Sequence, residues 1–142
     1  MAKSALLKSS IAKKVAMALS GLFLMLFLAQ HFFINMTSVF SSDVFNSISH
    51  FMGNNPLVQF VIQPILIVGV IFHFIMGFVL EIQNRSARPI AYAKNNGAAN
   101  SSWASRNMIY SGAVILAFLG LHFYDFWFPE MVYKYVAFNP LD

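Results

Sequence analysis

SGLFLMLFLAQH, from Ser20 to His31, and SGAVILAFLGLH, from Ser111 to His122, are the two stretches on which the reading of this chain turns. Each opens on Ser-Gly, runs through nine residues and closes on a histidine inside a long apolar run. A third histidine, His73, stands within the equally apolar PILIVGVIFHFIMGFVL of residues 64–80. An ionisable side chain at bilayer depth costs several kcal/mol unless it has a partner, so each of these histidines marks a functional site by default.

The composition requires a membrane setting. Of the 142 residues, 58% are hydrophobic and only 10% charged, with sixteen Phe, too little polar surface to cover a water-soluble globule. Each crossing takes about 20 apolar residues, so the chain has room for three spans and no large soluble catalytic domain. The absence of cysteine excludes disulfides, iron–sulfur clusters, thiolate metal sites and thioether-linked haem. The sequence predicts an all-α integral membrane bundle, a single transmembrane domain over 1–142. Its spans are expected at about 15–40, 57–80 and 108–128, and the lipid bilayer is its first partner. The first run follows Lys3, Lys8, Lys13 and Lys14 as a secretory signal would. It is longer than a signal's apolar region of about 7–15 residues and ends in no small-residue cleavage site, so it reads as a retained helix.

Lys3, Lys8, Lys13, Lys14, Arg85, Arg88, Lys94 and Arg106 lie before the first span or between the second and third, and only Lys134 lies on the other side. By the positive-inside rule the N-terminus is cytoplasmic. Asp43, Asp125, Glu130 and Asp142 fall outside. The net charge of +4 is therefore a topology signal and not a sign of nucleic-acid binding. In the outer segment, 41–56, Val44, Phe45, Ile48 and Phe51 recur at helical spacing and predict a short interfacial helix, broken by Asn54-Asn55-Pro56. The cytoplasmic loop, 81–107, is polar, with Asn96-Gly97 as a turn signal, and reads as a partner-facing or mobile connection.

Depth sorts the histidines. At a rise of about 1.5 Å per residue, His31 and His122 both lie roughly 21–24 Å from the inner face, and His73, on a span running the other way, lies near that face, about 15 Å from their level. Eleven residues make almost three turns, so Ser20 lies beneath His31 and Ser111 beneath His122, each at the level of His73. Two matching histidines at one depth and a third at another point to non-covalently held haem at two levels. The Ser-Gly pairs leave room for a flat macrocycle, as do Gly69 and Gly77 around His73, although small residues so spaced also serve plain helix packing.

The stretch from Ser20 to His31-Phe32, His73 forty-two residues on, and Trp103 to Arg106 leading into Gly112 and Leu121-His122-Phe123-Tyr124 resemble the cytochrome b membrane-anchor subunit of succinate dehydrogenase and fumarate reductase, in its single-subunit, di-haem form. The resemblance covers Ser9 to Asp125. It implies a five-helix bundle whose first four helices each give one haem ligand, with His31 and His122 on a distal haem b and His73 on a proximal one. The chain as given stops at Pro140-Leu141-Asp142, short of the fourth and fifth helices, and so lacks the second proximal ligand. It is expected to be part of a longer subunit, or to be completed by another chain.

The resemblance further implies a bacterial inner membrane and a flavoprotein and an iron–sulfur subunit docked on the cytoplasmic side. Electrons would pass through the two haems to menaquinone, with the whole complex able to form homo-oligomers. Haem propionates would meet Lys13, Lys14, Arg85, Trp103 and Arg106, residues that also suit a span end where cations snorkel to water. Asn35 and Asp125, one turn outward from His31 and His122, together with Gln63 and His50 are the candidates for the quinone edge. Asp125 equally marks a helix end, Pro64 is expected to kink the second span, and His50 reads first as a solvated histidine of the outer segment. A non-haem scaffold subunit of a respiratory or transport complex, its histidines bridging helices or relaying protons, is the other class the residues allow. A cytochrome b working without a dehydrogenase is a third.

Overall fold

The computed structural model describes residues 9–87 and 96–137, and every regular element among them is helical. Lys3, Lys8, Arg88, Lys94 and residues 140–142 lie outside the described residues. Contacts divide the chain into two units, Met1–Met76 and Gly77–Asp142.

In the first unit, helix α1 is Ser10–Phe40. It starts before the expected 15 because a cap sets its beginning and hydropathy does not: the Ser9 hydroxyl accepts from the Ala12 amide at 3.4 Å. Near its far end the polar side chains of Asn35, Thr37 and Ser38 donate back to the carbonyls of His31, Ile34 and Asn35, so the helix leaves its apolar stretch with these groups satisfied internally. Ser41 is extended (φ −159°, ψ 117°), sends its amide to Thr37 and accepts from Val44, ending one helix and starting the next in a single residue. Helix α2, Ser42–Asn54, stands where a short helix is expected between the first two spans. Its partly covered face is Phe45, Ile48 and Met52, while Val44 and Phe51 are exposed. Asn55 breaks it, giving its amide to Phe51 and accepting from Leu57 (2.9 Å) and Val58 (3.4 Å), so the residue read as a breaker also caps the second span.

The second span is a π-helical turn, Val58–Ile62, followed by α3, Gln63–Ser86. It continues past the expected 80 because Glu81 and Arg85, polar but good helix formers, pair across one turn at 2.6 Å. In the second unit two short helices, α4 (Gly97–Asn100) and α5 (Trp103–Arg106), occupy the described part of the segment between the second and third long helices. Asn96 is the residue before α4, and Arg106 Nη1 donates to the carbonyls of Gly97 (2.9 Å) and Ser101, folding this segment on itself.

The third span begins with α6, Met108–His122, and passes through a π-helical turn, Phe123–Trp127, into α7, Phe128–Met131, and a last π-helical turn, Val132–Val136. It therefore passes the expected end at 128. Both Val58–Ile62 and Phe123–Trp127 stop two residues before a proline, Pro64 and Pro129. Proline has no N–H and its ring crowds the carbonyl four residues back. Widening the preceding turn to i→i+5 bonding relieves that contact without breaking the helix. The kink expected at Pro64 thus takes the form of a widened turn.

Three helices, Ser10–Phe40, Val58–Ser86 and Met108–Val136, are long and apolar enough to cross a membrane. Among the described residues no hydrophobic side chain is buried, and Phe33 and Val114 are about as exposed (68% and 70%) as many of their neighbours. Helices of this kind need hydrocarbon around them, and their backbone bonds are closed within each segment as a bilayer demands.

Candidate functional site

The first unit brings Ser20, Gly21 and His73 together. The hydroxyl oxygen of Ser20 lies 2.9 Å from Nδ1 of His73 and 3.0 Å from the carbonyl of Met17, to which it donates. Beside it, a Cβ built on Gly21 would stand 3.2 Å from Cε1 of His73. Glycine at this position lets α1 approach the flat of the imidazole more closely than any other residue would. Four residues from His73 along α3, a Cβ built on Gly69 would stand 3.3 Å from Cε1 of Phe23 and 3.9 Å from Cδ2 of Leu24. Gly69 is thus a packing glycine and Gly21 the one that shapes the histidine's seat. The contact puts His73 level with Ser20, so His31, eleven residues on, stands about 16 Å further along α1.

His31 and His122 belong to different units and share a local setting. The ring of Phe27 stacks on His31 at 5.6 Å and 23°, and that of Phe118 on His122 at 5.7 Å and 20°. Ser111 donates to the carbonyl of Met108 at 3.0 Å, as Ser20 does to Met17. The internal repeat therefore extends to Ser-Gly, then Phe, then His. Phe27 and Phe118 were missed in reading the sequence, although a phenylalanine four residues before each histidine is on the same helical face and was visible there. The two Ser-Gly pairs differ in occupancy: nothing lies within 4 Å of a Cβ built on Gly112.

Beyond His122 the widened turn changes what its ring meets. Phe126 packs on it with ring centroids 5.1 Å apart, enclosing the imidazole between Phe118 and Phe126. Asp125, expected one α-turn outward on that face, lies in the π-helical turn and is exposed. In an α-helix both the third and the fourth residue on lie near a side chain, and the wider turn rotates the third away while leaving the fourth, Phe126, beside His122. Asn35 donates to the carbonyl of His31 at 2.8 Å and so turns its amide nitrogen back on its own helix. Gln63 is half-buried where the π-helical turn meets α3. His50, exposed on α2, has Nε2 3.1 Å from Asn54 Nδ2.

The basic and indole candidates do not form one cluster within either unit. Lys13 and Lys14 lie in the first turns of α1, Arg85 pairs with Glu81, Trp103 is 74% exposed, and Arg106 is bonded to loop carbonyls. Among the described residues no three His, Cys, Asp or Glu side chains gather as a metal site. Single imidazoles fit an iron whose other in-plane ligands come from a macrocycle, and a flat ring between helices suits glycine beside imidazole. The residues present are in this sense compatible with haem.

No protein-family model, curated protein or solved structure matches this chain.

Proposed function

We propose that the chain is the membrane-anchor, cytochrome b subunit of a succinate:quinone oxidoreductase, carrying electrons between an iron–sulfur subunit and menaquinone. The observation that carries this reading is the repeated Ser-Gly-to-His stretch, with His73 hydrogen-bonded against its first copy at 2.9 Å. His31 and His122 would hold one b haem and His73 would be a ligand of the other. When bound, haem iron supplies one-electron chemistry that no side chain of this cysteine-free chain provides. The chain's own residues orient and shield: Phe27, Phe118 and Phe126 fix the planes of the outer imidazoles and exclude water from them, while Ser20 and Gly21 seat His73. At the far end of α1, the side-chain Oδ1 of Asn35 could accept a hydrogen bond from a quinol hydroxyl, and exposed Asp125 offers a carboxylate on the third span. The expected orientation is N-terminus cytoplasmic in a bacterial inner membrane, with the flavoprotein and iron–sulfur subunits on that side.

The test is haem content. The purified complex is expected to give a pyridine haemochrome spectrum of two b haems per copy of this subunit. Absence of haem, or haem attached by thioethers, overturns the assignment and leaves the scaffold reading, which the Ser20–His73 bond also favours, since such bonds tie helices together in membranes.

A further inference from the structure

We propose that Ser20 is a positioning residue that fixes the tautomer of His73, accepting its Nδ1 proton and leaving the Nε2 lone pair free to bind a metal. This rests on the haem reading above for its function, though not for its geometry. The hydroxyl of Ser20 has one proton, and the carbonyl of Met17, 3.0 Å away, takes it. The other helical hydroxyls behave alike: Thr37, Ser38 and Ser111 each donate to the carbonyl three residues back. What remains on Ser20 for His73, at 2.9 Å, is an oxygen lone pair, so the ring nitrogen facing it carries the proton. The opposite assignment would put the proton on Nε2, which has no hydrogen-bond acceptor among the described residues. In hydrocarbon a stranded N–H costs more than an unshared lone pair, because a donor's hydration is lost with nothing in return. Only Nδ1–H gives both protons, that of the hydroxyl and that of the ring, an acceptor.

Two consequences follow for the ring. Gly21, whose absent Cβ would stand 3.2 Å from Cε1, lets it lie flat enough on α1 for the bond to form. An acceptor on Nδ1–H also makes the imidazole a more electron-rich ligand at Nε2, favouring the ferric state.

Ser20→Ala removes the acceptor and Ser20→Thr keeps it. In redox titrations of the haem-loaded complex, the haem that disappears in His73→Ala is expected to show a raised midpoint potential and about tenfold weaker retention in Ser20→Ala, with Ser20→Thr close to the parent. The other haem, unchanged, reports that the variant has folded. An unmoved potential in Ser20→Ala, or equal movement of both haems, overturns the proposal while leaving the cytochrome assignment standing. If the purified protein contains no haem, the cytochrome assignment falls and nitrogen-15 NMR of the histidine-labelled full-length protein decides the tautomer. The His73 signal, identified by its loss in His73→Ala, is expected as Nδ1–H in the parent and shifted towards Nε2–H in Ser20→Ala. Nε2–H in the parent overturns the inference.

Discussion

Replacing Gly21 and replacing Gly112 by alanine separate an occupied Ser-Gly seat from an open one. At Gly21 the new methyl meets Cε1 of His73 at 3.2 Å, closer than ordinary contact, and the ring or α1 must move. Overpacking of this kind costs about 1–3 kcal/mol. At Gly112 a methyl meets nothing within 4 Å, and the change gains roughly 1 kcal/mol of helix propensity. Gly21→Ala is therefore expected to lower the thermal midpoint of the detergent-solubilised protein, and Gly112→Ala to leave it unchanged or raise it. Equal losses in both would show that the second seat is also filled. The histidines carry a companion prediction: alanine at His31 or at His122 should remove the same haem, and alanine at His73 the other. Spectrally resolved titration checks it, and loss of different haems from the His31 and His122 variants would break the proposed pairing. The seat of His73 was legible in the sequence, because eleven residues of straight α-helix fix both depth and phase from Ser20 to His31. The direction of Asp125 was not, because it depends on the widened turn at Phe123–Trp127, which precedes Pro129.

At the scale of elements, proline-widened turns and capping residues account for the departures from hydropathy. The third span was expected at about 108–128, yet the helix continues to Val136 with Lys134 paired to Glu130 at 2.8 Å. Hydropathy records where a segment prefers lipid. It does not record where backbone bonding ends, and an i,i+4 ion pair keeps a helix wound beyond the apolar stretch. The same distinction explains the early start of α1 at the Ser9 cap and the extension of α3 through Glu81 and Arg85. If the ring of Pro129 causes the turn at Phe123–Trp127, Pro129→Ala should return it to i→i+4 bonding and slow amide hydrogen exchange across residues 123–127. It should also move Asp125 towards the His122 face. Unchanged exchange would place the cause elsewhere, for the turn at Val132–Val136 has no proline two residues after it.

For the whole molecule, charge asymmetry predicts which ends of the helices face the cytoplasm, and the absence of cysteine makes that orientation directly measurable. Lys13, Lys14, Arg85 and Arg106 lie at one set of helix ends, whereas Asp43, Asp125 and Glu130 lie at the other set in the order of the chain. The bias favours a cytoplasmic N-terminus. Single cysteines at Ser9 and Asn96 should then react with a membrane-impermeant maleimide only in inside-out vesicles, and a cysteine at Asp43 only in right-side-out ones. The reverse pattern would invert the topology and move His73 to the outer level. Under the expected topology, electrons from a soluble iron–sulfur partner enter near His73. Charge reversal at Arg85, whose exposed guanidinium pairs with half-buried Glu81 at 2.6 Å, should weaken attachment of the partner subunits without unfolding the helix, since ion pairs at the surface contribute little to stability. Arg106 will behave differently. Its guanidinium holds the carbonyls of Gly97 and Ser101, so Arg106→Glu should loosen the 96–107 segment as well as remove charge. Co-purification of the flavoprotein and iron–sulfur subunits at increasing salt separates the two cases. Arg85→Glu should make attachment more salt-sensitive, and Arg106→Glu should weaken it even at low salt. Full retention of both subunits in the double variant would remove the cytoplasmic face as their docking surface.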